Sequence, residues 1–373
     1  MRSRQAVTSS GVIVETVSLK SEAASRDVRM LFGPSQEELF PMIRNHKSDG
    51  GASVFASAKI ARRSFLGLSG AVCAAGALAA SVPAAPAKAR EWKRRPTFVL
   101  IHGSWHGAWC FQLTASLLIN EGFRVVALDR PGSGLNAQFP SSYLAGNLNP
   151  NEVSPVAGIT LDDYATAAVE SIIALRGDEP VIVVGHSLGG IVVNEVGERL
   201  GPEGVDHLVY LTAFMTPAGK TGNDIINMDA QFGSLTRTVL LGSIAATGAA
   251  RINPNSTDPA YQARAVNTFY NDVPAEMIPA IFNLLTPDEP AAPCSVVTNI
   301  TPHRWGAIPR TFIRCTLDHA IPIGAQDALI QAADAFTPGN LTRTTTLQSS
   351  HSPFFSMPEQ LASVLIQIAE STV

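Results

Sequence analysis

Gly185-His186-Ser187-Leu188-Gly189 lies between Pro180-Val181-Ile182-Val183-Val184 and Gly190-Ile191-Val192-Val193-Asn194-Glu195-Val196-Gly197-Glu198-Arg199-Leu200. The first flank is a short, apolar, β-branched run that reads as a buried strand, and the second continues as a helix. A serine within Gly-x-Ser-x-Gly, between a strand and a helix, sits in a strained tight turn with its hydroxyl projecting above the sheet. Gly185 and Gly189 are required there because side chains would strike the neighbouring strand and helix. In a chain with 29 glycines the pentapeptide alone carries little weight. Its context makes Ser187 the candidate nucleophile.

A neutral serine hydroxyl is a poor nucleophile, so a base and an orienting acid are needed, here in the order Ser, Asp/Glu, His. Arg310-Thr311-Phe312-Ile313-Arg314-Cys315-Thr316 alternates like a strand and ends at Leu317-Asp318-His319. Leu341-Thr342-Arg343-Thr344-Thr345-Thr346-Leu347 reads as a further strand, followed by Gln348-Ser349-Ser350-His351-Ser352-Pro353. Asp318 and His351 each fall just past a strand end. His351 would take the proton of Ser187, and Asp318 would hold the other ring nitrogen. His319 is a rival histidine but precedes the last strand; Asp224 and Asp229 are reserve acids.

An oxyanion site needs backbone N–H groups. One is expected from Leu188, the other from Ser104, in the loop after the strand Thr97-Phe98-Val99-Leu100-Ile101. Gly103 there allows close approach of backbone to substrate. His102 and His106 raise a metal reading, but no carboxylate or further histidine completes a ligand set nearby, so they read as structural loop residues.

His102-Gly103-Ser104-Trp105-His106-Gly107-Ala108-Trp109-Cys110, Gly185-His186-Ser187-Leu188-Gly189-Gly190, Tyr210-Leu211-Thr212-Ala213-Phe214-Met215, Cys315-Thr316-Leu317-Asp318-His319-Ala320-Ile321-Pro322 and Ser350-His351-Ser352-Pro353 together resemble the α/β-hydrolase fold. The branch they resemble holds plant methyl-ester esterases, hydroxynitrile lyases and bacterial pyrethroid-type carboxylesterases. The resemblance covers about residues 96–373 and implies a Ser187/Asp318/His351 triad and no cofactor. Two positions depart from the lyases, which carry threonine after the strand-end histidine and lysine after the catalytic one. Here these are Gly103 and Ser352, so ester hydrolysis is favoured over cyanohydrin cleavage.

Strand and helix signals alternate along most of the chain, which implies a mostly parallel sheet with helices on both faces. Strands are expected at 97–102, 124–129, 181–185, 207–213, 310–316 and 341–347, and helices near 107–121, 161–175, 188–200, 324–336 and 358–370. The alternation stops between Thr216 and Pro309, so a cap is expected over about 216–309. Gly103, Trp105, His186, Phe214, Phe269, Phe282 and Leu285 are the candidates for a largely apolar pocket.

The N-terminal part reads differently. Ala61-Arg62-Arg63-Ser64-Phe65-Leu66, an Ala/Gly-rich run to Val82, and Ala-x-Ala sites in Pro83-Ala84-Ala85-Pro86-Ala87-Lys88-Ala89 are the parts of a twin-arginine signal peptide. The alternative is an uncleaved membrane anchor, disfavoured by its Ala/Gly richness and by Pro83 and Pro86. Residues 1–60 lack periodicity and read as a disordered extension, which means a long n-region or a start downstream of Met1. The expected organisation is therefore 1–60 extension, 61–89 signal and 90–373 hydrolase domain. Residues 1–89 carry 11 Lys/Arg and 6 Asp/Glu, leaving 16 basic against 25 acidic residues and a net charge of −9. An acidic body argues against nucleic acid or an anionic membrane as partner. No CxxC or His/Cys pattern suggests a metal.

These readings converge on an exported serine hydrolase for small to medium, largely apolar carboxylic esters, periplasmic or secreted. The alternatives are hydroxynitrile-lyase-like, acyltransferase or perhydrolase activity on the same triad, or a non-catalytic small-molecule receptor.

Overall fold

The computed structural model describes residues 95–372, so the expected extension and signal segment lie outside the described residues. The strands are β1 Thr97–Ile101, β2 Arg124–Leu128, β3 Val181–Ser187, β4 His207–Ala213, β5 Ala249–Arg251, β6 Asp288–Pro290, β7 Arg310–Cys315 and β8 Arg343–Leu347. Six form one sheet in the order β2-β1-β3-β4-β7-β8, and every pairing in it is parallel. Parallel strands need crossovers, which the helices Gln112–Asn120, Leu161–Leu175, Gly189–Leu200 and Ile323–Phe336 supply, and Pro358–Thr372 closes the chain.

The strand sequences explain why the sheet is buried on both faces. Phe98, Leu100, Ile182, Val184, Val209, Leu211 and Ile313 point into one apolar cluster. Val99, Ile101, Val181, Val183, Leu208, Tyr210 and Phe312 point into the other. This period of two, with both phases apolar, is what a sheet covered by two helical layers requires. The outer strands differ: β2 is exposed or half-buried throughout, and β8 is buried only at Leu347. The first long helix starts on a capping box, in which Thr160 Oγ1 accepts from the Asp163 N–H (3.2 Å) and Asp163 Oδ2 from the Thr160 N–H (2.8 Å).

Strand boundaries agree with the expected ones to within two residues, the widest differences being that β3 runs on to Ser187 and β8 starts at Arg343. The expected helix at 107–121 begins with the short 3-10 turn Ala108–Phe111 before the α-helix Gln112–Asn120. Between β4 and β7 the chain forms short helices, the longer helix Pro259–Phe269, and the small antiparallel pair β5–β6. That pair carried no signal in the sequence, because three-residue strands cannot show a period. Val239, Ile252, Phe269, Tyr270, Val273, Ile281, Phe282 and Leu285 of this segment join the first apolar cluster, so the insertion packs on the sheet's own core.

β2 and β3 flank β1 on opposite sides, so strand order reverses at β1 and a crevice opens at the C-terminal strand ends. The site lies there. Among the described residues, no helix is long and apolar enough to cross a membrane.

Candidate active site

Backbone strain marks this crevice. Among the described residues only three non-glycines have positive φ: Trp105 (61°), Ser187 (53°) and Thr212 (36°). They follow or end β1, β3 and β4, and such conformations persist only where the surroundings over-determine them. For Ser187 the constraint is close packing. A Cβ on Gly185 would lie 2.4 Å from Val193 Cγ2, and one on Gly189 would lie 2.7 Å from the Ile101 carbonyl oxygen. Only glycine at both positions lets β3 pass directly into the helix.

Thr212 supports the acid. Its hydroxyl donates to Asp318 Oδ2, and the β3–β4 register shifts beside it, at His186/Ser187. Asp318 Oδ2 also accepts from His351 Nδ1 (2.7 Å), while Oδ1 accepts the N–H groups of Ala320 (2.6 Å) and Ile321 (2.8 Å). These four donors occupy both carboxylate oxygens. Because Asp318 can only accept, the proton on His351 sits at Nδ1, which leaves Nε2 as the basic nitrogen. The His351 carbonyl accepts from His186 Nε2 at 2.8 Å, and burial pushes the His186 pKa well below the usual histidine value. His186 is therefore a neutral strut under the His351 backbone.

Ser104, Ser187, Leu188 and His351 border one cavity of about 390 Å³. The N–H groups of Ser104 and Leu188 meet no acceptor among the described residues. Trp105, Phe214 and Phe269 line the same cavity, and the Phe269 ring lies 5.9 Å from the His351 ring. The other pocket candidates sit elsewhere. Gly103 lies behind the cavity, where a Cβ would be 2.6 Å from Ser187 Cβ. His186 points into the core against Phe354, with ring centroids 4.8 Å apart. Phe282 and Leu285 border a small separate pocket with Val239 and Ile252, because they pack the insertion onto the sheet rather than facing the serine.

The rival groups have other partners. His319 Nδ1 bonds the Asn267 carbonyl (2.8 Å) and Asp224 caps a short helix through Thr221; Asp229 is exposed, in a 3-10 turn. His102 and His106 bond the carbonyls of Gly103 (2.7 Å) and Ser104 (2.8 Å), and burial lowers both, His106 to about 4. Among the described residues, no three His, Cys, Asp or Glu side chains are grouped to hold a metal.

No signal in the sequence points to the charged pair at this site, of which Glu289 borders the cavity. Arg130 donates to both oxygens of Glu289 (3.0 and 2.9 Å) and to the Gly103 carbonyl (2.7 Å). Its run, Asp129-Arg130-Pro131-Gly132, is readable as the loop after β2, but nothing in it names a partner 159 residues away.

A family model described as the alpha/beta hydrolase family matches residues 98–364. The chain belongs to that family. It is 28% identical over 272 residues to putative methylesterase 11, chloroplastic, of Arabidopsis thaliana, covering 73% of this chain and 63% of that protein. It is 28% identical to methylesterase 1 of the same plant, covering 76% and 99%, and 27% identical to norfluorocurarine synthase 1 of Strychnos nux-vomica, covering 75% and 98%. Of the chloroplastic relatives, the chain spans 63% of the length of putative methylesterase 11 and 57% of that of putative methylesterase 13.

Among solved structures, a pyrethroid hydrolase from Sphingobium faniae superposes with TM-score 0.58 at 22% identity, over 74% of this chain and 98% of that one. Polyneuridine aldehyde esterase does so with TM-score 0.57 at 20% identity, over 74% and 100%. At such identities the likeness is one of fold.

Proposed function

We propose that this α/β hydrolase cleaves carboxylic esters of small to medium, largely apolar substrates through an acyl-enzyme on Ser187. The observation that carries the reading is the shared cavity: a serine on a strained strand-to-helix turn and a histidine hydrogen-bonded to a buried carboxylate border the same space. His351 Nε2 takes the hydroxyl proton as Ser187 Oγ attacks the ester carbonyl carbon. The tetrahedral oxyanion rests on the free N–H groups of Ser104 and Leu188. Collapse expels the alcohol, protonated by His351. Water, deprotonated by the same nitrogen, then attacks the acyl-enzyme and releases the acid.

The names of several relatives and neighbours support the ester as substrate class: methylesterases, a pyrethroid hydrolase and polyneuridine aldehyde esterase. Leu188, Phe214, Phe269 and Ile321 make much of the wall apolar, and 390 Å³ suits a compact ester. Cyanohydrin cleavage fits less well. Ser352 is a fully buried neutral side chain beside His351, and among the described residues no lysine lines the cavity.

Ser187→Ala should lower p-nitrophenyl ester turnover by roughly 10⁴-fold or more with the fold intact by circular dichroism. Fluorophosphonate should label the wild type and not the variant. Turnover that survives the substitution removes Ser187 from the mechanism.

Export by the twin-arginine route is the second half of the proposal. Its support is the Arg62-Arg63 pair followed by an apolar Ala/Gly-rich run and Ala-x-Ala sites before Ala89. Arg62→Lys together with Arg63→Lys should hold the protein in the cytoplasm of a twin-arginine-competent host. Unchanged fractionation would refute this route.

A further inference from the structure

A fully buried ion pair is an expensive way to stabilise a fold, since apolar residues of similar volume do as well. Arg130 and Glu289 form such a pair, with side chains 2% and 3% exposed. Their remaining hydrogen bonds indicate a different use. Arg130 Nη2 donates to the Gly103 carbonyl (2.7 Å), which also accepts from His102 Nδ1 (2.7 Å). Glu289 Oε2 accepts the Trp105 N–H (3.3 Å), and Oε1 accepts the Tyr164 hydroxyl (3.0 Å). The Trp105 carbonyl in turn accepts the Thr286 N–H at 2.9 Å. Trp105 is the residue held at φ 61°.

In a trans peptide the C=O and N–H point in opposite directions. The carbonyl of Gly103 and the N–H of Ser104 belong to one peptide plane. A cation fixed on that carbonyl from behind therefore turns the Ser104 N–H toward the cavity that Ser104 borders. It also polarises the peptide, because a charged donor on the oxygen strengthens the N–H as a donor. Glu289 belongs to β6 in the insertion, whereas Arg130 follows β2 of the sheet. The inserted segment thus completes the loop from one side and the sheet from the other.

We infer that the Arg130–Glu289 pair is the positioning device of the oxyanion site, locking the Gly103–Ser104 peptide plane so that the Ser104 N–H faces the developing oxyanion. This rests on the ester-hydrolysis reading; Glu289 also borders the cavity, whereas Arg130 does not, and the pair acts through the peptide it holds. A misdirected donor keeps part of its effect, so the loss lies below the 10²–10³-fold cost of removing a donor outright.

The test uses Glu289→Gln and Arg130→Lys in the full chain, with p-nitrophenyl butyrate as substrate. Competent Ser187 is counted by fluorophosphonate titration, so unfolded protein does not enter the rate. We expect kcat per titrated serine to fall about 10- to 100-fold with KM changed less than about threefold. A trifluoromethyl ketone, which adds Ser187 Oγ to give a tetrahedral oxyanion, should lose affinity by the same factor. A merely structural role would lower the titre and leave both ratios alone. Full kcat per serine in both variants, or a kcat loss without loss of ketone affinity, overturns the inference.

Should neither variant fold, Tyr164→Phe removes one bond from Glu289 without uncovering a charge. A parallel fall of about two- to fivefold in kcat and ketone affinity is expected there, and unchanged values overturn the inference. A wild type that neither turns over ester nor labels at Ser187 sinks the hydrolytic reading instead, before any variant is made.

Discussion

Val181, Ile182, Val183 and Val184 of β3 are at most 2% exposed, and Asp288 and Glu289 of β6 are buried almost as deeply, at 2% and 3%. The two strands reach that burial by opposite means. β3 is held by apolar contact on both faces, a force proportional to area and indifferent to which aliphatic group supplies it. β6 is held by two ion pairs, Arg251–Asp288 (2.7 Å) and Arg130–Glu289 (2.9 Å), each of which needs one particular partner in one geometry. The sheet should therefore tolerate conservative substitution, and the insertion should not tolerate loss of a single charge.

The sharpest test of that contrast is Asp288→Ala. It leaves the Arg251 guanidinium, whose side chain is fully buried, without its counter-ion. A loss of about 3–5 kcal/mol is expected by urea unfolding, whereas Arg251→Met with Asp288→Leu should restore most of it. A single-variant cost under about 1 kcal/mol breaks the comparison.

Acid should weaken both regions together. His106 supports the site loop against Tyr270 (3.0 Å), and His207 begins β4 beside Thr311 (2.9 Å). Burial lowers both to about 4 from the usual 6.5. A depressed folded-state pKa means the unfolded chain binds protons first as pH falls. Stability is thus fully present above about 6.5 and is lost as pH drops toward about 4, by about 3 kcal/mol for His106 alone. A melting temperature that stays flat between pH 7 and 4.5 contradicts this.

Ile182→Val, in the centre of the sheet, should cost only about 0.5–1.5 kcal/mol in the same urea experiment. Smallest of all is Leu135→Ser, at a side chain 97% exposed, expected within about 0.5 kcal/mol of wild type. A change above about 1 kcal/mol there contradicts the comparison.

The elements that sequence reading recovers are those with a repeating local cause. Six sheet strands carry apolar or alternating runs, and the helix expected near 161–175 is Leu161–Leu175. β5 and β6 are too short to have a pattern, and they exist because Ala249–Arg251 and Asp288–Pro290 find each other. The pocket candidates show the same divide. Phe214 and Phe269 face the cavity while Phe282 and Leu285 do not, although all four are apolar residues outside the sheet strands, Phe214 just past β4 and the rest in the insertion. Which way an apolar side chain points in an irregular segment is set by packing, not by its type.

Sequence alone determined the alternation of strand and helix, the Gly-x-Ser-x-Gly turn, and the order Ser187, Asp318, His351, because each rests on residues adjacent in the chain or on a local period. Only the tertiary structure decided that Thr212 braces Asp318, that His186 carries the His351 backbone, and that Arg130 and Glu289 grip the loop at Ser104. Those are single contacts between residues far apart in sequence. A chain can encode them only by folding, since no local pattern distinguishes a buried charge with a distant partner from a solvated one.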